Sequence, residues 1–200
     1  MAVYTKITNK EIISISGFYH IGKVIKFKGI KKGIENTNYL LETNKKKLIL
    51  TIFEKRVDKK DLPFFMNLMD KLNQKNIICP KPLKDKKGQY LSKIKGKSAC
   101  IVSFIEGRDK TKLNNKNCFE IGKNIAKLHK ATNEIKLYRS NSMSVTQLDS
   151  LLKSIKIKSS KLGSGIIPVL YKNLKDIKKE WPKNLPSGII HGDLFIDNIF

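Results

Sequence analysis

His191-Gly192-Asp193-Leu194-Phe195-Ile196-Asp197-Asn198 places a histidine, an aspartate and an asparagine in the order His-x-Asp, four residues, Asn. These residue types at this spacing suit phosphoryl transfer. A carboxylate such as Asp193 accepts the proton of an attacking hydroxyl, and an amide oxygen such as that of Asn198 is a hard, neutral ligand for Mg²⁺. His191 is expected to brace the loop through a hydrogen bond rather than to move protons. The apolar run Gly188-Ile189-Ile190 leads into the motif. A motif this short recurs by chance, so the elements that position it must carry the reading.

Those elements fall into two groups. Lys23 to Lys28, Thr37 to Glu42 and Lys47 to Phe53 are runs of β-branched and apolar residues bounded by turn formers, and each predicts a strand. Asp61-Leu62-Pro63 opens a helix with Asp61 as N-cap, and Phe65, Leu68, Met69 and Leu72 share one face of it. Gln89 to Ile94 and Ser98 to Ile105 predict a hairpin about Gly96. Glu106-Gly107-Arg108-Asp109 reads as a hinge. Beyond it, Cys118, Ile121, Gly122, Ile125, Leu128, His129 and Thr132 trace one buried helical face, with His129 a core histidine. A weaker helix covers Thr146 to Ile157. Gly163-Ser164-Gly165 is a loop, and Ile167, Leu170, Leu174 and Ile177 mark a last helix ending near Trp181-Pro182. The expected fold is α+β and protein-kinase-like, with two lobes. An antiparallel five-stranded nucleotide-binding lobe with one helix occupies residues 1–105. The hinge and a mainly helical lobe carrying the catalytic loop occupy residues 106–200.

Such a fold needs a nucleotide site, and the strand-rich half offers candidates. Gly29 and Gly33, with Asn36 and Thr37 after them, form a turn whose backbone N–H groups can cover ATP phosphates. It matches neither G-x-G-x-x-G nor the Walker A pattern. Alternation along the third strand turns Ile49 and Thr51 toward the nucleotide. Thr51 stands where a kinase strand presents a lysine to the phosphates, and Lys47, Lys55 and Arg56 are the substitutes in reach. Ser103-Phe104-Ile105 is the strand that meets an adenine edge through its backbone.

Composition bounds the alternatives. The net charge is +24, which invites a nucleic-acid reading. The positive charge is nearly all lysine and is spread along the chain; Arg56, Arg108 and Arg139 are the only arginines. Solvated surface lysine accounts for this, and no specific nucleic-acid partner is expected. The chain carries 3 cysteines, Cys79, Cys100 and Cys118, in no disulfide or zinc pattern, and they read as small apolar fillers. A reducing cytoplasmic location follows, with no membrane association. Oligomeric state is left open.

Several blocks together carry a family resemblance. Met1-Ala2-Val3-Tyr4-Thr5, Glu35-Asn36-Thr37-Asn38-Tyr39, Leu50-Thr51-Ile52-Phe53-Glu54-Lys55-Arg56-Val57, Asp61-Leu62-Pro63-Phe64-Phe65 and His191-Gly192-Asp193-Leu194-Phe195 resemble bacterial homoserine kinases. These belong to the aminoglycoside phosphotransferase/choline kinase-like superfamily and not to the GHMP fold. The resemblance implies ATP- and Mg²⁺-dependent phosphorylation of the hydroxyl of L-homoserine, a step of threonine biosynthesis. It implies Asp193 as catalytic base and Asn198 as Mg²⁺ ligand, and it makes Thr51 in place of lysine a family trait. Ile196 stands where relatives commonly have proline. Relatives continue into a strand bearing a Mg²⁺-binding aspartate and then further helices. This chain is therefore expected to be C-terminally truncated, with an incomplete helical lobe, and to transfer little phosphate by itself. Another small alcohol (an aminoglycoside, choline or methylthioribose) is the alternative acceptor.

Overall fold

Strand β3 (Lys47–Ile52) alternates buried and half-buried residues along its length, and the rest of the N-terminal structure is built on that alternation. Leu48, Leu50 and Ile52 are fully buried on one side, while Ile49 and Thr51 leave on the other. The computed structural model describes residues 3–31, 33, 35–54, 57–107, 110–158 and 165–199. Strands β1 (Val24–Gly29), β2 (Thr37–Thr43), β4 (Ser92–Ile94) and β5 (Lys97–Ser103) complete an antiparallel five-stranded sheet of order β1-β2-β3-β5-β4. In the central pairing Leu50 lies opposite Tyr39 on β2 and Ile101 on β5. The β4–β5 hairpin turns on Lys95 and Gly96, both at positive φ, which suits the right-handed twist of a two-residue turn.

The two faces of the sheet have different covers. Helix α1 (Asn9–Phe18) and its flanks place Ile7, Ile12, Ile15, Tyr19 and Ile21 against Tyr39, Leu41, Leu48, Leu50, Ile52 and Ile101. We call this the outer face. Helix α2 (Leu62–Gln74) sets Met66 against Cys100 and Val102, with Ile49, Phe53, Phe65 and Met69 around them, on the inner face. The N-terminal half thus carries two helices where one was expected. The signal for α1 is a capping box: Thr8 Oγ1 accepts from the Glu11 N–H, and the Glu11 carboxylate accepts from the Thr8 N–H.

Other differences are local. At α2 the side-chain cap comes from Asp58, which accepts from the Lys60 N–H of a short 3-10 turn at Lys59–Asp61; Asp61 makes no side-chain cap bond. The buried centre of α2 is Leu62, Met66 and Leu72, rotated from the expected stripe because the helix must seat on Cys100 and Val102. Helix α3 (Asn115–Thr132) forms with an Asn114–Asn117 capping box. Of its expected buried face Thr132 is buried and Ile121, Ile125 and Leu128 are half-buried, on a helix that touches α2; Cys118, Gly122 and His129 are exposed. Gly188 to Ile190 has no regular structure and pairs with no described strand.

Met1–Leu137 with Gly188–Phe200 forms one compact unit, and Tyr138–Ser187 a second. The second holds α4 (Val145–Lys158) and α5 (Ile166–Glu180), where Leu152 and Leu174 are buried and Lys178 pairs with Asp149. Glu106 and Gly107 are exposed and irregular. Arg108 and Asp109 of the expected hinge, and Gly163 and Ser164 of the expected loop, lie outside the described residues. No helix among the described residues is long and apolar enough to cross a membrane.

Leu50 is fully buried and Ile25 is 70% exposed, so the two β-strand positions should respond differently to truncation. Leu50→Ala is expected to cost about 2–5 kcal/mol in denaturant unfolding, and Ile25→Ala no more than about 0.5 kcal/mol. Equal losses at the two positions would contradict the assignment of the outer core.

Candidate functional site

The C-terminal loop is shaped by one side chain. Asn198 Nδ2 donates to the backbone oxygen of Asp193 at 2.9 Å and to Asp193 Oδ2 at 3.1 Å. A 3-10 turn at Ile196–Asn198 and a positive φ at Gly192 bring the two residues to this distance. The amide is thereby oriented, with its Oδ1 turned away from these bonds. Asp193 and Asn198 are both exposed, so a hydroxyl has access to the carboxylate. Thr132 at the end of α3 donates to the Ile189 carbonyl at 3.3 Å, which ties the approach to the loop to that helix. His191 is exposed and makes no hydrogen bond with a described residue; among the described residues the Asn198 amide is what braces the loop.

Asn198 Oδ1 is a hard neutral oxygen and fits one position of a Mg²⁺ octahedron. Among the described residues no group of three or more His, Cys, Asp or Glu side chains could hold a metal by itself. Phosphate oxygens and water are the natural remaining ligands for Mg²⁺ in such a setting.

The second cluster lies on the inner face of the sheet. Thr51 Oγ1 donates to Asn38 Oδ1 at 2.8 Å across the β2–β3 pair, and Ile49 lies opposite Leu40 one step along. Ile49 and Thr51 therefore share the expected face, with α2 packed on the same side. Lys47 is on this face too, but its ammonium stands 5.8 Å from the centre of the Phe104 ring. Lys55 and Arg56 lie outside the described residues.

The expected phosphate turn divides into residues that hold structure and residues left open. A side chain at Gly29 would meet Val3 Cγ2 at 2.8 Å, so this glycine is needed to pack the N-terminal segment. Gly33 has φ +95° with open space around it, which is the true turn glycine. Lys32 and Ile34 lie outside the described residues. Asn36 Oδ1 accepts from the Glu54 N–H at 3.3 Å. Thr37 is fully buried: its Oγ1 accepts from the N–H groups of Tyr4 and Thr5 and donates to Glu54 Oε1 at 2.7 Å. Its hydroxyl is spent on the scaffold.

Glu54 is the residue that the sequence reading missed. Its carboxylate side chain is only 9% exposed and takes Thr5, Thr37 and the Lys97 ammonium together. With its backbone N–H on Asn36, it fixes the exit of the turn to the end of β3. Burial pushes its pKa up, but the bonds from Lys97, Thr37 and Thr5 outweigh that and hold the carboxyl below its ordinary value. The only signal in the sequence is an acidic residue ending an apolar strand, which alone says little.

At the other end of the face, Ser103 exchanges bonds with Lys81: its N–H donates to the Lys81 carbonyl and its Oγ accepts from the Lys81 N–H, each at 2.9 Å. The Phe104 N–H donates to the Lys47 carbonyl at 3.4 Å. Ile105 is the first residue past the ladder whose backbone makes no bond among the described residues. Cys100 is buried, and burial pushes its thiol up to about 12, which leaves it an inert filler; Cys118 is exposed and fills nothing. Among the described residues no hydrogen bond or ion pair joins the Asp193–Asn198 loop to the sheet cluster.

Comparison with known proteins points the same way. Residues 26–200 match the model of the phosphotransferase enzyme family. The homoserine kinase of Agrobacterium fabrum is 40% identical over 200 residues, all of this chain and 62% of that protein. The homoserine kinase of Rhizobium meliloti is 40% identical, over all of this chain and 61% of that protein. The chain thus spans less than two thirds of these relatives. A spectinomycin phosphotransferase solved with ADP and spectinomycin superposes with a TM-score of 0.66 at 13% identity, covering 97% of this chain and 65% of its own. That likeness concerns the fold, which is kinase-like.

Glu54→Gln should lower stability and change its pH dependence. Because the folded-state pKa is lowered, the ionised form contributes in full above the ordinary carboxylate value and the contribution is lost as pH falls below about 4. The stability gap between parent and variant, read by urea unfolding, is therefore expected to be about 1–3 kcal/mol at neutral pH and to shrink on acidification. A gap that does not change with pH would contradict the clamp.

Proposed function

The chain belongs to the phosphotransferase enzyme family, and on that premise we propose that it carries the nucleotide-binding and catalytic-loop parts of an ATP-dependent homoserine kinase. The observation that carries the reading is the Asp193–Asn198 pair, in a chain whose whole length aligns with homoserine kinases. The side-chain hydroxyl of L-homoserine attacks the γ-phosphorus of ATP, its proton passes to the Asp193 carboxylate, and the bond to the β–γ bridging oxygen breaks to release ADP. Asp193 acts because Asn198 holds one of its carboxylate oxygens and its carbonyl, fixing the direction in which the other oxygen faces the acceptor. Asn198 Oδ1 would hold Mg²⁺, which when bound neutralises charge on the phosphates.

In this reading ATP lies on the inner face of the sheet. The backbone of Ile105 meets the adenine edge, Ile49 and Leu40 contact the base, and the turn around Gly33 closes over the phosphates. In the same reading residues 1–105 are the nucleotide-binding lobe, and residues 106–200 are the hinge and the helical part that carries the catalytic loop. The lysines are solvated surface and read no nucleic-acid sequence, and the place of work is the cytoplasm, as befits free thiols.

In the complete gene product, Asp193→Asn is expected to reduce L-homoserine-dependent ADP release by about 10²–10⁴-fold with little change in the KM for ATP. Turnover close to that of the parent would sink the assignment of the base.

A further inference from the structure

Thr51 occupies the β3 position at which kinases present a lysine to the phosphates, and it has no charge to offer. The structure shows what occupies that place. The Thr51 hydroxyl donates to Asn38 Oδ1 at 2.8 Å, so the acceptor end of the Asn38 amide is taken. The donor end, Nδ2, bonds to no described residue. An amide held at its oxygen points its N–H₂ outward, as a directed donor pair on the inner face.

The position of this donor along the face is informative. Phe104 and Ile105 lie just past the end of β5, and Leu40, Ile49 and Val102 form an apolar step next to them. Asn38 and Thr51 come next, where the face turns polar. The Asn38 carbonyl also accepts from the Ile30 N–H at 2.8 Å, so Asn38 stands at the foot of the turn that contains Gly33. Apolar surface followed by a donor under a glycine turn matches a base followed by its phosphates.

We propose that Asn38, oriented by Thr51, is the phosphate-binding donor of this site, a neutral pair standing in for the lysine. This rests on the phosphotransferase reading above. A hydrogen bond from a neutral amide to a charged phosphate oxygen is worth about tenfold in affinity. Lys28 lies opposite Leu40 on the same face and is the rival, since it is exposed and positively charged.

The test compares ATP with adenosine in titrations of the complete gene product. Asn38→Ala is expected to weaken ATP and ADP about tenfold and to leave adenosine unchanged, because adenosine has no phosphate. Asn38→Asp, which keeps the bond from Thr51 but replaces the donor with an acceptor, should weaken ATP further. Thr51→Val keeps the shape of the strand and should give a smaller loss of the same kind. Equal loss of ATP and adenosine, undiminished ATP affinity in Asn38→Ala, or a phosphate-specific loss found only in Lys28→Met would overturn the inference while leaving the phosphotransferase reading intact. A parent protein that binds no ATP would overturn both.

Discussion

Leu48, Leu50 and Ile52 leave β3 toward α1, and Ile49 and Thr51 leave it toward α2. A slip of one residue in the pairing would exchange these sets and put Thr51 into a dry core and Leu50 onto the inner face. Two different covers on one strand therefore hold the register firmly. Because Asn38 pairs with Thr51 and Leu40 with Ile49, the same register decides which β2 residues join the site. The chemistry of the inner face is inherited from the packing of the outer one.

The polar parts of the site follow a common rule. An amide side chain has an acceptor end and a donor end, and the protein consumes one to aim the other. Asn198 gives its N–H₂ to Asp193, which leaves an oxygen suited to a cation. Asn38 gives its oxygen to Thr51, which leaves a donor suited to an anion. Glu54 serves the scaffold, gathering Thr5, Thr37 and Lys97 so that the exit of the turn into β2 is tied to the end of β3.

The strands could be read because β-branched runs bounded by turn residues are a local property, and all five stand within a residue or two of their expected bounds except β4, which starts three residues later. The apolar residues of helix α1, Ile12, Ile13, Ile15 and Phe18, do not mark one face, since Ile13 and Phe18 are exposed; the Thr8–Glu11 capping box is the available signal. The stripe on α3 is periodic as expected but only partly buried: Ile121, Ile125 and Leu128 are half-buried while Cys118, Gly122 and His129 are exposed, since periodicity does not say how much of a face a partner covers. Ile49 and Thr51 were found by alternation. The scaffold role of the Thr37 hydroxyl is not legible, because it is bound by residues 32 and 33 positions away and by Glu54, a relation no local pattern encodes. Asp193 and Asn198 were recognisable from spacing, but which end of the Asn198 amide faces Asp193 is a matter of geometry.

The central claim is that this fold moves phosphate onto the hydroxyl of L-homoserine. Phosphorus NMR of the complete gene product with ATP, Mg²⁺ and L-homoserine tests it most directly. The account predicts loss of the γ-phosphate signal with matched growth of ADP and an alkyl phosphomonoester, and none of that ester when L-homoserine is omitted. ADP with inorganic phosphate and no ester, or an ester formed only with choline, methylthioribose or an aminoglycoside, would contradict it.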